Sequence, residues 1–180
     1  MSTLAPSMAQ QAAELMATAC PDARGGLPQP LFLAVSRLTP LVNVDLLVTD
    51  PAGRLLMTWR ADGFYGPGWH VPGGILRFKE PAAQRIAAVA RTELGVQVEV
   101  AAEPWRVLEL TAPDRDVRGH FITLAYPCRL LTDPPEEYRA AKNQPKPGQW
   151  AWFEQLPTET IRQHRIYESW FTEHTTCKEL

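Results

Sequence analysis

The chain has 180 residues, of which 45% are apolar, and a formal net charge of -2. That is enough apolar side chain for one sizeable core in one domain, and too little positive charge for a footprint on nucleic acid or an anionic membrane. Cys20, Cys128 and Cys177 are widely spaced and form no CxxC pair, which argues against a disulfide framework or a zinc site and predicts reduced thiols in a cytoplasmic protein.

Residues 1–30 read as an N-terminal extension and linker. Met8, Ala12, Leu15, Met16 and Ala19 recur at helical spacing, predicting a short amphipathic helix near residues 7–19 whose stripe would cover an apolar patch or a second subunit. Gln10, Gln11 and Glu14 interrupt the hydrophobicity, so neither a signal peptide nor a membrane span is expected. The Pro21 to Pro30 stretch reads as the linker, followed by a main domain over residues 31–174 and a tail over 175–180.

In LVNVDLLVT, Val42, Val44, Leu46 and Val48 alternate with Asn43, Asp45 and Thr49. The pattern predicts a strand with one dry and one mixed face. Asp50–Gly53 is turn chemistry, and Arg54–Trp59 returns as a hairpin. A glycine-rich loop, 61–68, leads to a short strand at Trp69–Val71. After a helix at about 81–93, strands are expected at Val96–Val100, Val107–Thr111, His120–Leu131 and Trp150–Phe153, with a long loop from Thr132 to Gln149. An amphipathic helix with Ile161, Tyr167, Trp170 and Phe171 closes the chain. Strands dominate, so the expected architecture is α+β, a mixed sheet between helices.

The most telling segment is VPGGILRFKEPAAQRIAAVARTELGV, residues 71–96. Proline at the first helical position and Gly95 just past the end delimit a helix. Glu93 follows Ala90, Val89 and Ile86 by three, four and seven residues, so it shares their apolar face. It also sits at the negative end of the helix dipole, where a carboxylate is disfavoured. Such an anion requires a cation: a metal ion, or a salt bridge with Arg60 or Arg91. Asp45, mid-strand on the mixed face, needs a partner for the same reason.

This segment resembles the Nudix box, the G-x5-E-x7-R-E-U-x-E-E-x-G-U signature of hydrolases acting on nucleoside diphosphates linked to another group. Gly74 aligns with its first glycine, Glu80 with its first glutamate, Glu93 with its last, and Gly95 and Val96 with its end. Ala88, Val89 and Thr92 replace the arginine and two glutamates between. TPLVNVDLLV (39–48), the hairpin through Trp59-Arg60, and GWHVPGG (68–74) are most similar to GDP-mannose mannosyl hydrolases, and the likeness runs from about Leu31 to Phe171.

The resemblance implies a Nudix fold and a magnesium ion, or another divalent cation such as Mn2+, held by Glu93 and the Gly73 carbonyl. Hard cations of this kind take oxygen ligands and keep several waters, so one carboxylate with substrate phosphates suffices. It further implies a nucleotide-derived small-molecule substrate and a homodimer. Glu93 and Asp45 are the catalytic candidates; Arg60, Gly74, Trp69 (stacking beside the glycine turn) and Arg77 are the substrate-binding candidates. Two arginines of that subgroup fall on Ile75 and Ala88, its histidines near Leu110 and Pro147, and its glutamine ligand near Lys146, with Gln144 or Gln149 as alternatives. Glu80 reads as structural, an N-cap or a partner of Arg77. His120 is a candidate base or a surface residue, and Lys142 and Lys146 are phosphate contacts or a charged lid. Two functions follow: a metal-dependent hydrolase of a nucleoside diphosphate sugar or related derivative, or a catalytically impaired domain that binds such a ligand.

Overall fold

The structure is a computed structural model that describes residues 7–141 and 144–175; Lys142, Cys177 and the expected tail beyond Thr175 lie outside the described residues. The alternating segment forms strand β1, Leu41–Thr49, and β1 organises the fold. Along one edge it pairs in parallel with β7, His120–Leu130, from Leu41 opposite Phe121 to Thr49 opposite Arg129. Its other edge is divided. Thr49 pairs with Leu55 of β2 (Leu55–Asp62), whereas Asn43–Asp45 pair with β4 (Gly73–Ile75). Between these two contacts the Leu46 N–H donates to the Pro72 carbonyl. Strand β2 leaves β1 and pairs instead with β3 (Gly66–His70) and β8 (Trp150–Phe153). The sheet therefore splits beyond the β1–β2 hairpin. Strands β5 (Val98–Val100) and β6 (Arg106–Thr111) complete it against β7.

The period of two along β1 sends its side chains to two cores. Val44, Leu46 and Val48 pack with Leu56 and with Ile86, Val89, Ala90 and Leu94 of the central helix. Leu47 packs on the opposite face with Leu55, Met57 and the C-terminal Tyr167, Trp170 and Phe171. Those last three belong to a 3-10 turn, Arg162–Tyr167, and a following helix, Glu168–Thr175. The result is the expected mixed sheet between helices.

The N-terminal helix α1, Met8–Ala19, opens with a capping box in which Ser7 and Gln10 satisfy each other's backbone N–H groups. Met8 and Leu15 remain exposed, so its apolar stripe covers no patch within the described chain. A second helix, α2 (Gln29–Val35), runs across the boundary expected at residue 30. It contains Pro30 within its first two positions, where a missing N–H costs nothing, so a proline read as linker chemistry is a helix start. The loop expected over residues 61–68 is mostly strand. Asp62 makes that possible, because its Oδ1 accepts the Phe64 and Tyr65 N–H groups at 2.8 and 3.0 Å and closes a tight turn.

The central helix, α3, spans Ala82–Val89 with Pro81 as its N-cap, one residue later than expected. Its last turn, Ala90–Leu94, is π-helical and ends at Gly95 in the left-handed region, φ 68°. The wider turn changes the face assignment. In a uniform α-helix Glu93 would lie on the Ile86–Val89–Ala90 face, but the π turn brings Leu94 into the core and leaves Glu93 at the border.

Strand β4 lies so close to β1 that Gly73 has no room for a side chain. A Cβ there would overlap the Asp45 carboxylate and come within 2.8 Å of the Val44 carbonyl, whereas one on Gly63 would meet nothing within 4 Å. Gly73→Ala is therefore expected to lower stability by about 2–3 kcal/mol, with Gly63→Ala within about 0.5 kcal/mol of wild type. Urea midpoints at unchanged m test this pair; equal midpoints would refute the close approach.

Candidate active site

A cavity of about 730 Å³ opens where the sheet splits, lined from β1 by Asn43 and Asp45, from β2 by Thr58–Asp62, and from β4 by Gly73–Ile75. Glu93 lines it from the π turn, and Arg118, Phe121 and Thr123 line it from the β6–β7 side. Pro147 and Gly148 of the long loop, and residues 161–164, complete the wall.

Asp45 is 1% exposed. Its Oδ1 accepts from Asn43 Nδ2 at 2.6 Å, and its Oδ2 accepts from the Tyr167 hydroxyl. Burial pushes its carboxyl up to about 7 against the pull of these two hydrogen bonds. The same burial and the Asp45 charge hold the Tyr167 hydroxyl well above its ordinary range. Glu93 keeps an accessible surface, but that surface faces the cavity, and the protein packed behind it desolvates the carboxylate. Burial first, then repulsion by Asp45, raises Glu93 to about 7, while Arg60 and a hydrogen bond with the Gly73 backbone draw it back.

The salt bridge considered for Glu93 is absent among the described residues. Arg60 is instead paired with Asp62, its Nε donating to Oδ2 at 2.7 Å, and its guanidinium lies 4.5 Å from the centre of the Tyr65 ring. Its charge still reaches Glu93 and both neighbouring histidines. No three His, Cys, Asp or Glu side chains converge as a metal-ligand group among the described residues.

His70 and His164 also line the cavity, in a pair with ring centres 5.7 Å apart. They divide the Val71 peptide between them. His70 Nδ1 donates to the Val71 carbonyl at 2.9 Å, and the Val71 N–H donates to His164 Nδ1 at 2.9 Å. His70 Nε2 then accepts from the Thr58 hydroxyl at 3.0 Å, and the His164 proton resides on Nε2. Burial, then Arg60, lowers His70 to about 4; burial, then His70 and Arg60, lowers His164 well below its ordinary value. Both rings are neutral at pH 7, and their proton-accepting nitrogens are already engaged.

The sequence-derived candidates divide. Asp45, Arg60, Gly73, Gly74 and Glu93 come together in the cavity. Trp69 does not: it is 6% exposed, edge-on to Trp59 and Phe153 within the core, and its strand partner Trp59 lines the cavity instead. Arg77 lies against Gly26 of the N-terminal extension, outside the cavity wall. Glu80 accepts from the Arg77 N–H at 3.0 Å and pairs with Arg85 at 2.7 Å, so it braces the helix entry without being its N-cap. His120 pairs with Glu109 at 3.0 Å on the β6–β7 surface. Gln149 spends its amide oxygen on the Lys146 N–H, and Lys146 is exposed.

Asn43, Tyr167, the two histidines and Arg118 were not among the candidates. Asn43 had a local signal, since the strand period of two places it beside Asp45. Tyr167 and His164 carried none: Tyr167 reads as part of the C-terminal apolar stripe, and the partners of both lie far away in the sequence.

A mixed sheet between helices, split around a carboxylate-bearing cavity beneath a glycine turn, is the Nudix fold. The chain belongs to that family: the NUDIX domain matches residues 39–171. Among solved structures, a possible asymmetric diadenosine tetraphosphate hydrolase from Jonesia denitrificans is 19% identical, with TM-score 0.60, over 79% of this chain and 99% of its own. A MutT NUDIX hydrolase from Burkholderia pseudomallei is 22% identical, with TM-score 0.55, over 73% and 97%. A UDP-X diphosphatase is 15% identical, with TM-score 0.54, over 97% of this chain and 74% of its own. At these identities the likeness is one of fold, and the last extends over much of the N-terminal extension as well.

The two raised carboxyls set a pH dependence. The folded protein holds Asp45 and Glu93 above their unfolded values, so between about pH 4 and 7 these two groups bind more protons folded than unfolded, while His70 and His164, held below theirs, bind fewer. The favourable contribution of the two carboxyls is present at low pH and lost as pH rises through about 7. Asp45→Asn keeps acceptor and donor capacity toward Asn43 and Tyr167 without the charge. Between pH 5 and 8 the wild-type urea midpoint is expected to drop relative to that of Asp45→Asn; a difference that stays constant with pH would show that Asp45 does not titrate there.

Proposed function

We propose that the protein is a divalent-metal-dependent hydrolase of a nucleoside diphosphate sugar or a related nucleoside diphosphate derivative. The observation that carries this reading is the pair of carboxyls, Asp45 and Glu93, on the wall of one cavity beside Gly73, with no ion pair to either among the described residues. A divalent cation would relieve both. Glu93 and the Gly73 carbonyl are the residues that would hold it, and substrate phosphates and water would fill the remaining positions. Both Asp45 oxygens already accept hydrogen bonds, so Asp45 acts on Glu93 through its charge. When bound, the cation supplies charge to the substrate diphosphate.

The chain's own groups do the rest. Arg60 brings a positive charge to the same part of the cavity, and its Asp62 partner fixes where the guanidinium lies. His164 presents an Nε2–H donor whose tautomer the Val71 N–H sets. Trp59 and Tyr65 offer aromatic surface. The likeness of residues 39–48 and 68–74 to GDP-mannose mannosyl hydrolases favours sugar nucleotides, and the UDP-X diphosphatase neighbour is named for a nucleoside diphosphate derivative.

A second reading has its own support. Val89 and Thr92 stand where the box has glutamates, and Val89 is buried beneath Gly74. One accessible carboxylate suits a domain that binds a nucleotide without turning it over.

Product analysis with a panel of nucleoside diphosphate sugars and magnesium separates the readings. Glu93→Gln is expected to lower turnover by about 100- to 1,000-fold and to abolish the rise in melting temperature that magnesium gives wild type at pH 8. Magnesium-independent nucleotide binding without turnover would favour the binding domain.

A further inference from the structure

The cavity wall carries a second charged feature, away from Glu93. Arg118 lies in the loop that joins β6 to β7, between Thr111 and His120. Its guanidinium carbon lies 4.6, 5.3 and 5.7 Å from the ring centres of Phe64, Tyr65 and Phe32. Its Nε is buried with no hydrogen-bond partner, and the side chain has no carboxylate partner among the described residues. Aromatic faces attract a cation but leave its N–H donors unsatisfied. A buried donor of this kind is costly, and the side chain that carries it belongs to a residue of the cavity wall whose positive charge has no ion-pair partner among the described residues.

The backbone is arranged to hold this side chain in place. Arg118 has φ 53°, a left-handed conformation uncommon for a residue other than glycine. The Ser36 hydroxyl, just beyond α2, accepts the Arg118 N–H at 3.1 Å and donates to the Leu33 carbonyl at 2.8 Å. Next along the chain, a Cβ on Gly119 would come within 2.8 Å of the Arg115 carbonyl, so the loop is tightly closed. Arg115 in turn donates to the Phe64 carbonyl and lies 4.5 Å from the Tyr65 ring. Helix α2 with the residue after it, and the β2–β3 turn, thus both brace one unpartnered guanidinium on the wall of the cavity. The charges that act on Glu93 are those of Asp45 and Arg60, and Arg118 is not among them.

We propose that Arg118 is an anion subsite of this cavity, taking a phosphate or carboxylate group that the substrate carries in addition to its diphosphate. This deepens the hydrolase reading and rests on it for the placement of the diphosphate near Glu93. The guanidinium fork matches either oxyanion. The group has two sources, an acidic sugar or a phosphorylated ribose on the nucleoside arm, and Ser36 is a positioning residue for both.

Two matched pairs of probes decide the matter, with affinities measured by calorimetry in magnesium: UDP-glucose against UDP-glucuronate, and ADP-ribose against its 2′-phosphorylated form. In wild type the member of one pair that carries the additional anionic group is expected to bind about tenfold tighter than the member without it, the scale of a charged hydrogen bond. The pair that shows the preference identifies the source. Arg118→Gln is expected to bring that ratio within about twofold of one, and Arg118→Lys to restore part of it. Ser36→Ala, which leaves the guanidinium intact, is expected to reduce the ratio partly, and serves if the Arg118 variants do not fold. Ratios near one for both pairs in wild type, or a preference that survives Arg118→Gln, overturn the subsite. Glu93-dependent turnover of UDP-glucose or ADP-ribose would stand regardless, so failure of the subsite is distinguishable from failure of the hydrolase reading.

Discussion

The arrangement of this site depends on one buried carboxylate. An isolated charge as enclosed as Asp45 is strongly disfavoured in an apolar interior, and three features accommodate it. Asn43, two residues earlier on the same strand face, gives one hydrogen bond, and Tyr167, from the far end of the chain, gives the other. The third is the absence of a side chain on Gly73, which lets β4 lie against the carboxylate. The same hydrogen bond that solvates Asp45 therefore ties the C-terminal segment to the first strand. Tyr167 is fully buried beside Trp170 and Phe171, so the tie lies inside an apolar core and is shielded from competing water.

The charge of Asp45 then shapes what surrounds it. Glu93 comes from a different element, yet it is raised by its neighbour as well as by burial. Arg60 could have neutralised it, but Asp62 holds that guanidinium at the hairpin, where it acts at a distance. The histidines are kept out of the charge balance, since each has an acceptor or donor role fixed by the Val71 peptide. The cavity is consequently polarised, with uncompensated negative charge beneath the glycine turn and unpartnered positive charge at Arg118. A ligand that brings a cation to one end and an anion to the other would complement both.

Much of the sheet was legible in the sequence because period-two alternation states which side chains face a core. Strand β8, Trp150–Phe153, has the expected bounds, and β1 is the expected strand, dry at Val44, Leu46 and Val48, whereas Val42 at its start is exposed. The misread positions share a cause. The glycines at 61–68 read as loop because Asp62 satisfies the turn with its side chain, which composition does not show. Pro30 reads as the end of a linker because its place in a helix depends on where the helix begins. Trp69 reads as accessible because it adjoins the glycine turn, yet its ring packs in the core edge-on to Trp59 and Phe153. Glu93 was found from its misplaced charge, but the π turn that moves it off the apolar face leaves no pattern in the sequence. Tertiary partners, Tyr167 with Asp45 and Ser36 with Arg118, are separated by many residues and have no local signature.

The degenerate box can be read in the same physical terms. Its first glutamate needs a cation to brace the helix entry, and with Ala88 in place of the box arginine, Arg85 supplies it from one turn earlier. The structural half of the motif is thereby retained with a different partner. The chemical half is not retained in that way. Val89, at a box glutamate, is 4% exposed and packs so closely under Gly74 that a Cβ there would meet its Cγ2 at 2.8 Å. That position has become core, and restoring a carboxylate would place a charge among Ile86, Leu94 and Val96. The helix can therefore offer only Glu93, and the second negative charge comes from β1 through Asp45, whose oxygens are occupied. Such a division gives an electrostatic preference for a cation with few protein bonds to it. The substrate must then contribute more of the binding itself, which is why charged groups elsewhere on the cavity wall, Arg60 and Arg118, bear on which ligand the site accepts.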